Sequence, residues 1–178
     1  SVAPPAPSGQ TVVVQAPAQP VTQTYFYESL SPYGTWVRVE PYGWVWQPSV
    51  AVVDTGWRPY CHGGHWLWSD AGWYWHSDYS WGWAPFHYGR WHHHGLRGWV
   101  WVPGTTWAPC WVTWRYSESH CGWAPLPPEA HWSVGVGFTH HGTSVSVGFG
   151  WGLSSWDYAF VPFGMFYDRH PYRHCIPR

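Results

Sequence analysis

The residues best suited to chemistry are the thirteen histidines and four cysteines. Three cysteines adjoin a histidine, in Cys61-His62, His120-Cys121 and His174-Cys175. Thiolate with imidazole suits zinc or copper. Structural zinc, however, commonly uses ligands at Cys-x-x-Cys spacing, and no such pair occurs. In a strand, His92 and His94 of the His92-His93-His94 run face one way and His93 the other, so only His92 and His94 could share a metal. These two are the weak metal candidates, and turn histidines on a weakly charged surface, with a pH response open to them, are the alternative. No cofactor is implied. The nine acidic residues are scattered, with Asp70 and Asp78 flanking the second expected hairpin, and no nucleophile elbow, P-loop or dinucleotide fingerprint is present. The expectation is therefore a protein that is not an enzyme.

Four cysteines without metal spacing point to disulfides and an oxidising compartment. Cys110 and Cys121 bracket a hairpin, so the expected pairs are Cys110 with Cys121 and Cys61 with Cys175. The second pair would tether the C-terminal segment.

A second chemistry lies in the tryptophans. Exposed indoles beside polar groups can stack on sugar rings, and Trp66, Trp68, Trp73 and Trp75 are the first candidates for a cell-wall or matrix glycan. The preferred assignment for these pairs is instead a core between sheets. Arg58, Arg90 and Arg115 adjoin aromatics and are expected to stack on them.

The elements that position these residues follow from a repeat. Gly34-x-Trp36 precedes Gly43-Trp44-Val45-Trp46, Gly64-His65-Trp66 precedes Gly72-Trp73-Tyr74-Trp75, and Gly89-Arg90-Trp91 precedes Gly98-Trp99-Val100-Trp101. The glycines of each copy are 9, 8 and 9 residues apart. A fixed period of this kind sets the fold. Trp-x-Trp places two indoles on one face of a strand, and glycine suits the turn before it. Three hairpins are predicted, at about 34–48, 64–77 and 89–103. A fourth spans 105–128, and a fifth, 132–150, turns at His140-His141-Gly142. Val50-Ala51-Val52-Val53 reads as a strand. Trp44, Trp46, Trp99 and Trp101 are expected among the least accessible residues.

Composition agrees with an all-β chain. Tryptophan supplies 20 of 178 residues and aromatics 22%, whereas charged residues make up 10% against roughly 25% in ordinary domains. All eight basic residues are arginine, and Gly and Pro total 38. A formal charge of -1 gives no attraction for nucleic acid, and no apolar run is long enough for a membrane-spanning helix. So weak a surface charge does little to oppose self-association.

Three segments emerge. Residues 1–24 form an extended Pro-, Ala- and Val-rich segment whose first residues, Ser1 to Pro7, resemble the start of a mature exported chain. Residues 25–163 form the Trp-rich β domain, and 164–178 an irregular C-terminal tail. Within the first segment, Thr11-Val12-Val13-Val14-Gln15 reads as a strand with no partner nearby in sequence. It is expected to join a sheet edge, either on a neighbouring copy or on its own domain.

Tyr33-Gly34-x-Trp36, Trp57-Arg58-Pro59-Tyr60, Trp81-Gly82-Trp83-Ala84-Pro85, His87-Tyr88-Gly89-Arg90-Trp91, Gly98-Trp99-Val100-Trp101-Val102-Pro103-Gly104 and Gly122-Trp123-Ala124-Pro125-Leu126-Pro127-Pro128 carry a resemblance. Together they resemble a Trp-rich domain of unknown function found in exported bacterial proteins, over about residues 31–163. Cys110 and Cys121 depart from that family's pattern. The resemblance implies bacterial origin and export, and it brings no activity. The expectation is an all-β, disulfide-linked chain of Trp-rich antiparallel hairpins forming a small barrel or sandwich. Its expected role is a secreted or cell-surface structural subunit that assembles with itself into a filament or layer by N-terminal strand addition. Glycan binding and histidine-based metal binding are the alternatives.

Overall fold

The computed structural model describes residues 3–176. Each of the first three repeats is an antiparallel hairpin: β1 (Gly34–Val39) with β2 (Gly43–Pro48), β3 (Gly64–Ser69) with β4 (Gly72–Ser77), and β5 (Arg90–His94) with β6 (Gly98–Val102). The repeat has two glycines because it has two backbone problems. The second glycine closes the turn in the left-handed region, at φ 80° for Gly43, 100° for Gly72 and 77° for Gly98, where a side chain is strained. The first glycine lies under an indole. A Cβ on Gly34 would collide with the Gln47 carbonyl and the Trp46 ring, one on Gly64 with the His76 carbonyl and the Trp75 ring, and one on Gly89 with the Val102 carbonyl and the Trp101 ring.

Register then sets one tryptophan opposite another in every hairpin: Trp36 with Trp46, Trp66 with Trp75, and Trp91 with Trp101. The fourth hairpin, β7 (Val112–Tyr116) with β8 (His120–Pro125), pairs Trp114 with Trp123. Directly opposed residues are the units of sheet stabilisation, and aromatic pairs are among the stronger ones.

The first and third hairpins join through Trp46 and Trp101 into a four-stranded sheet of order β1-β2-β6-β5. Trp36, Trp46, Trp101 and Trp91 therefore run in one row across four strands. The other face carries a smaller cluster of Val37, Val39, Val45, Val100 and Val102. β3 and β4 stand as a separate pair, and β12 (Ala159–Pro162) adds to β8. A last sheet is built from β9 (Ala130–Ser133), β10 (Gly137–His140) and β11 (Thr143–Ser144). All ladders are antiparallel. The sheets pack round one aromatic core containing Trp46, Trp66, Trp75, Trp101, Trp123 and Phe166. The strands are divided among four sheets, so no closed barrel forms.

Two local expectations are revised, and one helix is added to them. Val50 to Val53 lie in a short helix, α2 (Ser49–Val53), rather than a strand. Pro48 brings no N–H to continue a ladder, and Asp54 N–H closes a helical bond onto the Val50 carbonyl at 3.0 Å. The fifth hairpin is also shifted. Gly135 (φ 80°) and Gly137 (φ 85°) place a turn inside the first expected strand, while the His140-His141-Gly142 turn stands between β10 and β11. Finally, α1 (Gln23–Leu30) occupies the aromatic Tyr25-Phe26-Tyr27 stretch. Thr22 caps it, its Oγ1 accepting from Tyr25 N–H at 3.2 Å, and the i, i+4 pair Phe26 and Leu30 is buried.

Candidate functional site

Residues 3–22 cross the domain as an arm without regular structure except at Val12. Pro4 is buried, and its carbonyl accepts the Trp73 indole N–H at 2.8 Å. Val12 makes a parallel bridge to Ser69, with Val12 N–H donating to the Trp68 carbonyl and Asp70 N–H to the Val12 carbonyl, both at 2.9 Å. Val14 N–H donates to Asp70 Oδ1 at 2.9 Å. Pro17 to Thr22 then border a cavity of about 580 Å³ with Tyr25 and Trp83. Of the expected strand Thr11 to Gln15, only Val12 forms a bridge, and within this single chain it lies on the chain's own β3 edge.

The tryptophans first considered for glycan do not form a sugar platform. Trp66, Trp73 and Trp75 are buried. Trp66 is surrounded by the rings of Tyr60, Trp75, Trp114, Trp123 and Phe166. Trp68 is half-buried, edge-on to Trp73 at 5.1 Å, and its carbonyl holds the arm. The reason is geometric: the Trp-x-Trp face is the core face. Trp46 and Trp101 are fully buried as expected, whereas Trp44 is 58% exposed and Trp99 half-buried. Trp44 and Trp99 come directly after the turn glycine, at the rim of the sheet. Trp73 occupies the same rim position but is covered by Phe166 and Tyr167.

The four cysteines are thiols here. Cys61 Sγ lies 3.4 Å from Cys175 Sγ. Donation from the Cys61 S–H, with the Arg58 guanidinium nearby, holds the Cys175 thiol below its ordinary range; the same contact pushes Cys61 up. The expected pairing of Cys110 with Cys121 is overturned by register. Cys121 stands opposite Tyr116 at the turn end, while Val112 stands opposite Pro125 and Cys110 lies two residues beyond that. At roughly 3.3 Å per residue the two are far outside the Cα separation of about 7 Å that a disulfide tolerates. Burial pushes both thiols up to about 12.

His92 and His94 share a strand face as predicted, their rings 6.3 Å apart. Tyr42 packs on His92 at 5.0 Å and donates to Glu129 Oε1 at 2.7 Å. Among the described residues no three His, Cys, Asp or Glu side chains converge to hold a metal. Of the three arginines, Arg90 lies over Trp111 at 3.8 Å and Arg115 over Tyr158 at 4.9 Å. Arg58 does something else. It donates to the carbonyls of Trp156, Asp157 and Tyr158 at 3.5, 2.8 and 3.4 Å. No residue pattern points to this clamp, because its acceptors are main-chain atoms about a hundred residues away. Among the described residues, no helix is long and apolar enough to cross a membrane.

Trp-rich antiparallel hairpins round a shared indole core define a class of β-rich domain. The family of unknown function DUF6600 matches residues 27–130, more than half of the chain, and the chain belongs to that family. The matched span contains all four Trp-paired hairpins and stops where β9 begins. No curated protein and no solved structure matches the chain.

Proposed function

We propose that this chain is a structural subunit of an extracellular bacterial assembly, a filament or surface layer, in which the N-terminal arm of one copy docks on the next. One observation carries the reading: the arm is held largely through main-chain atoms. The Pro4 and Val12 carbonyls and the Val12 and Val14 N–H groups make its hydrogen bonds. Main-chain pairing at a sheet edge demands little of the side chains. The arm of a second copy would satisfy the same donors and acceptors, which is the low-cost exchange that underlies domain swapping. Passing the arm onward is a head-to-tail contact, and such contacts give open filaments unless rotation closes a ring. The Pro-rich stretches on either side of Val12 act as extended spacers. Charged residues are only 10% of the chain, so electrostatic opposition to assembly is weak.

The test is Val12→Pro, which removes the N–H donated to Trp68. Wild-type protein should form regular filaments under negative stain at rising concentration, and the variant should stay monomeric with the same near-ultraviolet circular dichroism. A wild type that stays monomeric at every concentration overturns the proposal, as does a variant that forms the same filaments.

A further inference from the structure

A cleft of about 410 Å³ opens where the Thr55–Arg58 turn meets the rim of β5–β6 and the segment before β12, bounded by Thr55, Arg58, His93, Trp99, Trp156 and Asp157. No residue of the arm borders it. Trp156 is 62% exposed, on a single helical turn, yet that turn is braced from two sides. Arg58 reaches in from below to three consecutive carbonyls, those of Trp156, Asp157 and Tyr158. From above, Asp157 Oδ2 accepts from Ser154 N–H at 2.7 Å and from Ser154 Oγ at 3.1 Å, closing a capping box. A large exposed apolar ring on a fixed backbone is a feature of recognition surfaces, because little ordering remains to be done on binding. Trp99, edge-on to His93 at 5.0 Å, supplies a second aromatic wall.

We propose that this cleft binds a glycan of β-linked pyranose rings, with the C–H face of one ring on Trp156. The volume is in the range of small-molecule pockets, and the lining mixes three indoles, Trp57, Trp99 and Trp156, with a hydroxyl, an imidazole and a carboxylate that can meet equatorial sugar hydroxyls. A flat aromatic platform would also accept a nucleobase. However, the one arginine of the cleft is already committed to carbonyls, and no other cation borders it to meet phosphate. One cation and one carboxylate in the lining leave it near neutral, which suits an uncharged ligand.

The experiment titrates the intact chain with chitohexaose and, separately, cellohexaose, by calorimetry and tryptophan fluorescence. Two variants, Trp156→Ala and Trp44→Ala, are measured alongside. Trp44 is equally exposed but lies outside the cleft, so it controls for loss of any surface indole. Saturable binding of at least one oligosaccharide is expected, weakened about tenfold or more in Trp156→Ala, the effect of losing one aromatic contact of about 1.4 kcal/mol. Trp44→Ala should bind as wild type. Binding of chitohexaose alone would add recognition of the acetamido group. The proposal fails if neither oligosaccharide binds at millimolar concentration, or if Trp156→Ala binds as tightly as wild type.

Discussion

The two tryptophans of each Trp-x-Trp, separated by a single residue, have different duties. Trp46 sits in the row of four indoles, fully buried, its Nε1–H donating to the Leu30 carbonyl at 3.0 Å and so fixing the end of α1. Trp44, on the same strand face, is past the edge of that row. Trp46→Ala should therefore cost about 3–5 kcal/mol, the range for large aromatic core residues, with the lost carbonyl partner at the upper end. Trp44→Ala should cost within about 0.5 kcal/mol. Urea denaturation of both variants checks this, and equal losses would mean that the face is buried in solution along its whole length. The spacing alone showed that the two indoles share a face. It could not show how far the core extends along the strand, because Trp73, at the same rim position, is buried by residues from the C-terminal segment.

At the scale of elements, the hairpins were legible and their long-range partners were not. Gly-x-Trp and Gly-Trp-x-Trp state the turn and the inward face locally, so four hairpins were predicted close to where they stand. α1 was hidden because its Tyr-Phe-Tyr stretch is β-prone, and the Thr22 cap and the single i, i+4 pair Phe26 and Leu30 are short signals beside it. α2 was hidden because a four-residue apolar run has no period. The cysteines show the same division. Cys110 and Cys121 are near in sequence but at opposite ends of a hairpin, whereas Cys61 and Cys175, 114 residues apart, are in contact. Glutathione disulfide should therefore yield one intramolecular link, Cys61 to Cys175, through attack by the Cys175 thiolate and resolution by Cys61, with glutathione thiol released. Cys61→Ser should instead accumulate glutathione on Cys175. Closing so long a loop would stabilise the chain by about 2–4 kcal/mol. A Cys61–Cys110 link in the peptide map would refute the pairing.

Over the whole molecule, indoles do the work that ion pairs and long ladders do elsewhere. Among the described residues Arg38 pairs with Glu40 and His174 approaches Asp168 at 3.3 Å, all at least partly exposed. Indole N–H groups of Trp46, Trp73, Trp91, Trp101, Trp111 and Trp123 instead tie loop carbonyls to the core, each at 3.0 Å or less. Histidines inside such a framework are held neutral. Burial lowers the pKa of His62, His65, His87 and His92, and His87 is pushed down to about 4. The His87 ring lies against Tyr74 at 4.6 Å and Trp107 at 5.8 Å, with Nδ1–H donating to the Ala108 carbonyl at 3.0 Å. In the unfolded chain it titrates near 6.5. Between about pH 6.5 and pH 4 the unfolded state therefore binds more protons than the folded one, and stability falls as pH is lowered through that window. His87 alone contributes a loss of about 3 kcal/mol by pH 4, and the other three histidines add to it in the same direction. Urea midpoints at pH 7 and pH 4 measure the effect. The midpoint should drop sharply at the lower pH in wild type and less in His87→Gln, which keeps a neutral donor. A wild-type midpoint that does not move between the two would show that His87 is not shut away from protons in the folded chain.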